Sequence, residues 1–221
     1  RVLLDCMDPR ASITLAGDTH QHVAEHSGFS SWSEFFHLLG IPGTEIETLR
    51  VSYRSARPIV DFAQELLGDL SEEADAPEAT RDGPPVEFFR FGDRGACVAF
   101  LADALRQLSV DEPQASVALL TPSTKVSATY LQALERCELP RLRWVRDHDF
   151  SFSAGVEIAE IDQVKGLEFD YVILLEVGPN DFPDLPEFRR LLHVGATRAI
   201  HQLWLTSIGP PAPMLAVLGE R

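Results

Sequence analysis

Gln163-Val164-Lys165-Gly166-Leu167-Glu168-Phe169-Asp170-Tyr171-Val172-Ile173-Leu174-Leu175-Glu176-Val177 joins a polar turn directly to a near-continuous apolar run. The turn is built on Lys165-Gly166, and the apolar run extends from Phe169 to Val177. A run without polar alternation is what a strand looks like when both of its faces are covered, as in a parallel sheet flanked by helices. About twenty residues from the turn stands Arg189-Arg190-Leu191-Leu192-His193-Val194-Gly195-Ala196-Thr197-Arg198-Ala199. Leu191, Leu192 and Val194 give it an apolar helical face, and Arg198 falls at its end. In both stretches a polar loop is anchored by an apolar element, so a charged side chain can be aimed across a cleft.

Working outward from this pair, the chain alternates. Strands are expected at Val86 to Arg90, Ser116 to Leu120, Leu142 to Val145, Val156 to Ile161, Phe169 to Val177 and Gln202 to Ser207. Helices are expected at Ala96 to Leu108, Lys125 to Cys137 and Phe188 to Ala199. This rhythm predicts an α/β fold with a parallel sheet and helices on both sides. Nearer the start, Ile13-Thr14-Leu15-Ala16 reads as a strand ending at Gly17-Asp18, and Thr48 to Val51 as another. Trp32, Phe35, Phe36 and Leu39 have helical spacing within Ser31 to Leu39. Ser55 is placed to cap a helix that runs to Leu67, with Pro58 in its first turn. Ser71 to Pro85 is acidic and Pro/Gly-containing and reads as a mobile connector. In open parallel sheets ligands bind at the carboxyl ends of strands. The loops after Leu15, Leu120 and Ile161 are therefore the expected places for a site.

Bulk properties narrow the function. The 221 residues are 45% hydrophobic, enough for one large domain or one domain with an appendage. Cys6, Cys97 and Cys137 are scattered and odd in number, which fits neither a metal site nor a disulfide framework. A reducing compartment such as the cytoplasm is the expected home. No apolar run approaches a membrane span, and Arg1-Val2-Leu3-Leu4-Asp5 has no secretory layout. The chain starts without Met, as an excised fragment would. The net charge of −15 argues against coating nucleic acid by bulk electrostatics, though not against a local basic track.

Four motifs carry candidate chemistry, and each alone also has a plain structural reading. Gly17-Asp18-Thr19-His20-Gln21 follows a strand. Its Asp and Gln can orient a water or touch a phosphate, or they can simply close an Asx turn. Arg54, in Leu49-Arg50-Val51-Ser52-Tyr53-Arg54-Ser55, can neutralise phosphate or serve a salt bridge. Within Lys165-Gly166-Leu167-Glu168 the glycine allows close approach of a ligand, and Glu168 can accept from a ribose hydroxyl or balance Lys165. Arg198 can stabilise charge on a transferring phosphoryl group or complement the helix dipole.

In this order and spacing, Gly-Asp-x-x-Gln, Tyr-Arg-Ser, Lys-Gly-Leu-Glu-Phe-Asp and Arg-Arg-Leu-Leu-x-Val-x-x-Thr-Arg-Ala resemble the superfamily 1 helicases of the UvrD/Rep type. The resemblance covers about residues 13 to 207, from the family's third motif to its sixth. It implies two RecA-like domains with ATP and Mg2+ between them, the metal held mainly by the first. Residues 1–30 would be the tail of that first domain, and 31–221 the second. The chain contains no Gly-x-x-x-x-Gly-Lys-Ser/Thr loop. By position, Gln21, Arg54 and Arg198 resemble the catalytic residues that sense or reach the terminal phosphate. Asp18, Tyr53, Lys165, Gly166 and Glu168 fall at ATP-binding positions. Thr121, Ser123, Asp162 and His193 fall at nucleic-acid-facing ones.

The chain departs from the pattern on the nucleic-acid side. Asp162 stands where relatives carry histidine, His193 where they carry tyrosine, and Ser52 where they carry asparagine. Phe29 and Trp32 follow the third motif where relatives place base-stacking aromatics, with core packing the better role for Trp32. Between Thr121 and Val156 there is no room for the large accessory insertion of some relatives, which brings the chain nearer the helicase IV/HelD-like branch. Three functions follow. One is the second motor domain of an ATP-dependent DNA helicase or translocase, 3′ to 5′ by analogy, on single-stranded or partly duplex DNA. Another is an ATPase that remodels RNA polymerase or another nucleoprotein complex. The third is a RecA-like interaction module without catalysis. No membrane partner is expected.

Overall fold

The computed structural model describes residues 6, 8, 12–17, 31–49, 51–70 and 78–216. Asp18, Gln21 and Phe29 lie outside these residues.

Six parallel strands form the main sheet: β3 (Glu87–Phe91), β4 (Ser116–Thr121), β5 (Leu142–Trp144), β6 (Gly155–Glu160), β7 (Phe169–Leu174) and β8 (Ala199–Ile208), in the spatial order β3-β8-β7-β4-β6-β5. The central strands are buried from both sides because alternate residues enter different cores. Along β4, Ala118 and Leu120 point to one face while Val117 and Leu119 point to the other. β7 divides the same way, with Val172 and Leu174 on the first face and Ile173 on the second.

The first face is covered by α2 (Arg57–Leu67) and α5 (Pro186–Ala196), through Ile59, Ala63 and Leu66 of one and Leu192 and Ala196 of the other. The second is covered by α3 (Arg94–Asp111) and α4 (Thr124–Arg136), through Leu101, Leu105, Tyr130 and Leu134. α3 starts at an Asp93 cap whose carboxylate accepts from Ala96 N at 2.9 Å. Its first turn is tied to the sheet by Arg94, which pairs with the mostly buried Glu176. The interval between Thr121 and Val156 holds α4, β5 and a loop.

Several local expectations shift. Residues 12–17 form no strand, and Ile13 and Leu15 remain partly exposed. The early strand β1 spans Val51–Ala56 rather than Thr48 to Val51, because its pairing partner lies outside its own neighbourhood in sequence. That partner is β2 (Glu78–Arg81), inside the stretch expected to be a connector. Glu-Ala-Thr-Arg has no apolar alternation, so only the parallel pairing makes it a strand. Helix α2 is capped by Ala56, with Pro58 in its first turn, and Ser55 stays in β1. Helix α5 ends at Ala196, two residues before Arg198, and β8 begins directly after that arginine. Trp32 belongs to α1 (Trp32–Leu39), where it stacks on Phe36 at 5.7 Å, so it packs locally.

Candidate functional site

Three segments distant in sequence meet where β7 and β8 begin. Phe169 and Ala199 are paired across these strands, and Phe169 N donates to Arg198 O at 2.9 Å. From β1, Ser55 Oγ donates to Ala199 O at 2.6 Å, and this hydroxyl is buried. Residues 54–55, 166–169 and 198–199 are thus knitted at one point. They lie at the amino ends of β7 and β8, at the far end of the loop after Ile161, which is one of the three expected places. The reason is the crossover at 161–168. It leaves the carboxyl end of β6 through a 3-10 turn (Ile161–Val164), buries Ile161 and Val164 on the first face, and delivers its tip to the start of β7.

That tip is met by both arginines. Arg54 Nη2 lies 2.7 Å from Glu168 Oε1, with side chains 49% and 38% exposed. Arg198 is 1% exposed. Its Nη1 donates to Leu167 O at 3.2 Å, its Nε to Val194 O at 3.0 Å and its Nη2 to Thr197 Oγ1 at 3.1 Å. One arginine therefore presents a solvent-accessible guanidinium beside the tip, while the other braces the tip from beneath. In this arrangement three of the donors of Arg198 are engaged within the fold.

Lys165 and Gly166 are exposed. Gly166 has φ +83°, and a Cβ placed there would find no atom within 4 Å. An anion can thus approach the backbone at Gly166 closely, with Lys165 and Arg54 supplying positive charge. Tyr53 is 73% exposed and neighbours Arg54 on β1. Its ring is free to lie against a planar group.

The positions expected to face nucleic acid separate into two kinds. Thr121 and His193 are buried. The Thr121 hydroxyl lies 2.6 Å from Ser127 Oγ and donates to Ala159 O at 3.3 Å, so it ties β4 to α4 and β6. Neither side chain is presented at the surface: Thr121 ends a central strand, and His193 lies on the buried face of α5. Ser123, which precedes α4, is half-buried and Asp162 is exposed. Thr124 Oγ1 donates to Glu160 Oε1 at 2.6 Å nearby, so this end of the sheet carries the carboxylates of Glu160 and Asp162 beside the exposed Lys125.

The sequence reading missed the tertiary role of Ser55. The signal was its place beside Arg54 in Tyr-Arg-Ser, but its acceptor lies 144 residues away and is invisible to local patterning. Among the described residues, no group of three or more His, Cys, Asp or Glu is placed to hold a metal, and no helix is long and apolar enough to cross a membrane.

Residues 155–206, from β6 through the crossover and both terminal strands, match the family model for the UvrD-like helicase C-terminal domain. The solved C-terminal domain of a possible DNA helicase from Lactobacillus plantarum WCFS1 superposes with a TM-score of 0.61 at 23% identity. The match covers 75% of this chain and 92% of that one. At that identity the likeness speaks for the fold, a RecA-like parallel sheet with helices on both faces. No curated protein sequence matches. The UvrD-like segment contains the crossover tip, Arg198 and the start of β8, while Arg54 reaches it from outside the matched residues.

Proposed function

We propose that this chain supplies the second motor lobe of an ATP-dependent helicase or translocase acting on DNA. The observation that carries the reading is the convergence of Arg54 and Arg198, from different elements, on the tip of one crossover. The geometry suits a triphosphate arriving from a facing lobe. Gly166 leaves room beside its amide, Lys165 and Arg54 supply charge, and Glu168 is placed to exchange Arg54 for a ribose hydroxyl. ATP would supply the phosphoryl group to be transferred, with Mg2+ held by the lobe that carries the phosphate-binding loop.

Within this chain the two arginines then have different tasks. Arg54 is the presented guanidinium and moves from Glu168 to the terminal phosphate, where a positioned cation stabilises the charge that develops on transfer. Arg198 holds the tip in place through Leu167 O, and it would turn a terminal nitrogen to the nucleotide by exchanging that carbonyl for a phosphate oxygen. Because both depend on a nucleotide held elsewhere, hydrolysis would be tied to lobe closure and so to movement along the strand. Polarity of 3′ to 5′, Asp18 and Gln21 as phosphate-side residues, and a cytoplasmic, nucleoid-associated setting complete the proposal by analogy. RNA polymerase as partner gains no support from the fold or the comparisons. DNA is favoured over it because the structural relative is described as a possible DNA helicase.

The test is ATP turnover by the complete motor, with its phosphate-binding lobe present. Arg54→Ala is expected to lower kcat about a thousandfold while leaving binding of an unhydrolysed ATP analogue nearly intact. Turnover equal to that of the parent protein would remove Arg54 from the chemistry and the proposal with it.

A further inference from the structure

β2 and the residues after it lie along β1 as a strap. Thr80 Oγ1 donates to Ser52 O at 3.3 Å, and Arg81 Nη1 donates to Arg54 O at 2.9 Å. The other arm of Arg81, Nη2, lies 3.2 Å from His201 Nδ1. A guanidinium only donates, so Nδ1 accepts and the neutral ring carries its proton on Nε2. Nε2 lies 3.5 Å from Asp170 Oδ1. The other oxygen of Asp170 accepts from Ser116 N and Ser116 Oγ, both at 2.8 Å. A line of polar contacts therefore runs from the carbonyl of Arg54 through Arg81, His201 and Asp170 to the start of β4. Packing supports the same contact independently. A Cβ on Gly83 would stand 2.5 Å from Ala56 Cβ, so the strap backbone rests directly against the end of β1. Beyond it, Val86 packs against the core on the first face.

We propose that Arg81 is a positioning residue for Arg54, fixing the strand that carries it against the main sheet. The inference rests on the reading of Arg54 as the guanidinium offered to the nucleotide. That side chain is half exposed, so its reach depends on where β1 is held. Ser55 ties the inner edge of β1 to Ala199 O, and Arg81 ties the outer edge to His201. The planar fork of an arginine can serve two acceptors on different elements at once, whereas the single ammonium of a lysine is less suited to bridging them. Small displacements of a catalytic group are costly in rate even when substrate binding is spared.

The experiment is steady-state ATP turnover by the complete motor, corrected for folded protein by circular dichroism, with Arg54→Ala as reference. Arg81→Lys, Gly83→Ala and His201→Ala are each expected to lower kcat about tenfold or more at unchanged KM for ATP. His201→Asn, whose amide oxygen offers an acceptor near the place of Nδ1, is expected to recover most of the loss seen in His201→Ala. Amide exchange over residues 51–56 should rise in Arg81→Lys. Parent-like turnover in Arg81→Lys alongside an inactive Arg54→Ala overturns the positioning role alone. An active Arg54→Ala removes the nucleotide reading beneath it. A loss that vanishes on correction for folded protein, or that His201→Asn does not relieve, also overturns it.

Discussion

Arg198 shows how one residue type can be legible while its environment is not. Its place after the apolar helix marked it at once, yet the sequence could not show that its guanidinium lies 1% exposed beneath Leu167. Replacing it with Met keeps much of the apolar volume and strips the donors from Leu167 O and Val194 O. Arg198→Met should therefore cost this chain about 1–3 kcal/mol, read as a shift in urea unfolding. Cys97 is fully buried, and burial pushes its thiol above the ordinary range. Iodoacetamide on the native chain should label the exposed Cys6 and spare Cys97, as read by mass spectrometry of the tryptic peptides. Tyr171 offers a pH test. Burial, and then its hydrogen bond to Glu112, pushes the phenol up to about 12, against about 10 in an unfolded chain. A raised folded value stabilises fully below the unfolded value and is lost as pH climbs through the folded one. Stability should fall between about pH 10 and 12, and Tyr171→Phe should flatten that fall.

At the scale of elements, the central strands were readable because burial on both faces leaves an unbroken apolar run, as in Val117 to Leu120 and Val172 to Leu175. The elements that hold Arg54 were not. β1 was displaced by a few residues and β2 was hidden in an acidic stretch, since each exists through the other rather than through its own pattern. Ser55 looked like a helix cap because Ser is a favoured N-cap and Pro58 suits the first turn that follows; its actual acceptor, Ala199 O, is supplied by the tertiary fold. Gly195 illustrates close packing that spacing alone does not reveal. A Cβ there would stand 2.8 Å from Leu174 Cδ2 and 3.2 Å from Ile161 Cγ2, where α5 meets β7 and the crossover. Gly195→Ala should push the helix outward and cost about 1–3 kcal/mol, measurable by denaturant unfolding. The same strain would loosen the crossover tip, so turnover by the complete motor should fall with it.

For the whole molecule, the sheet places its converging arginines at the amino ends of β7 and β8, away from the carboxyl ends of β4 and β6. A net charge of −15, with the half-buried Glu160 and the exposed Asp162 at the carboxyl end of β6, sets a weak electrostatic draw on nucleic acid. Binding of single-stranded DNA by this chain alone should be weak and should fade with added salt, as titrated by fluorescence anisotropy. The lobe is thus expected to act on a nucleotide, and on DNA, chiefly through what faces it. The most direct measurement is a crystal structure of the complete motor with Mg2+ and an ATP analogue that resists hydrolysis. The account predicts Arg54 released from Glu168 and placed about 2.7–2.9 Å from a terminal phosphate oxygen, with the tip at Gly166 against the phosphates. A bound analogue with Arg54 still paired to Glu168, turned away from the phosphates, would contradict it.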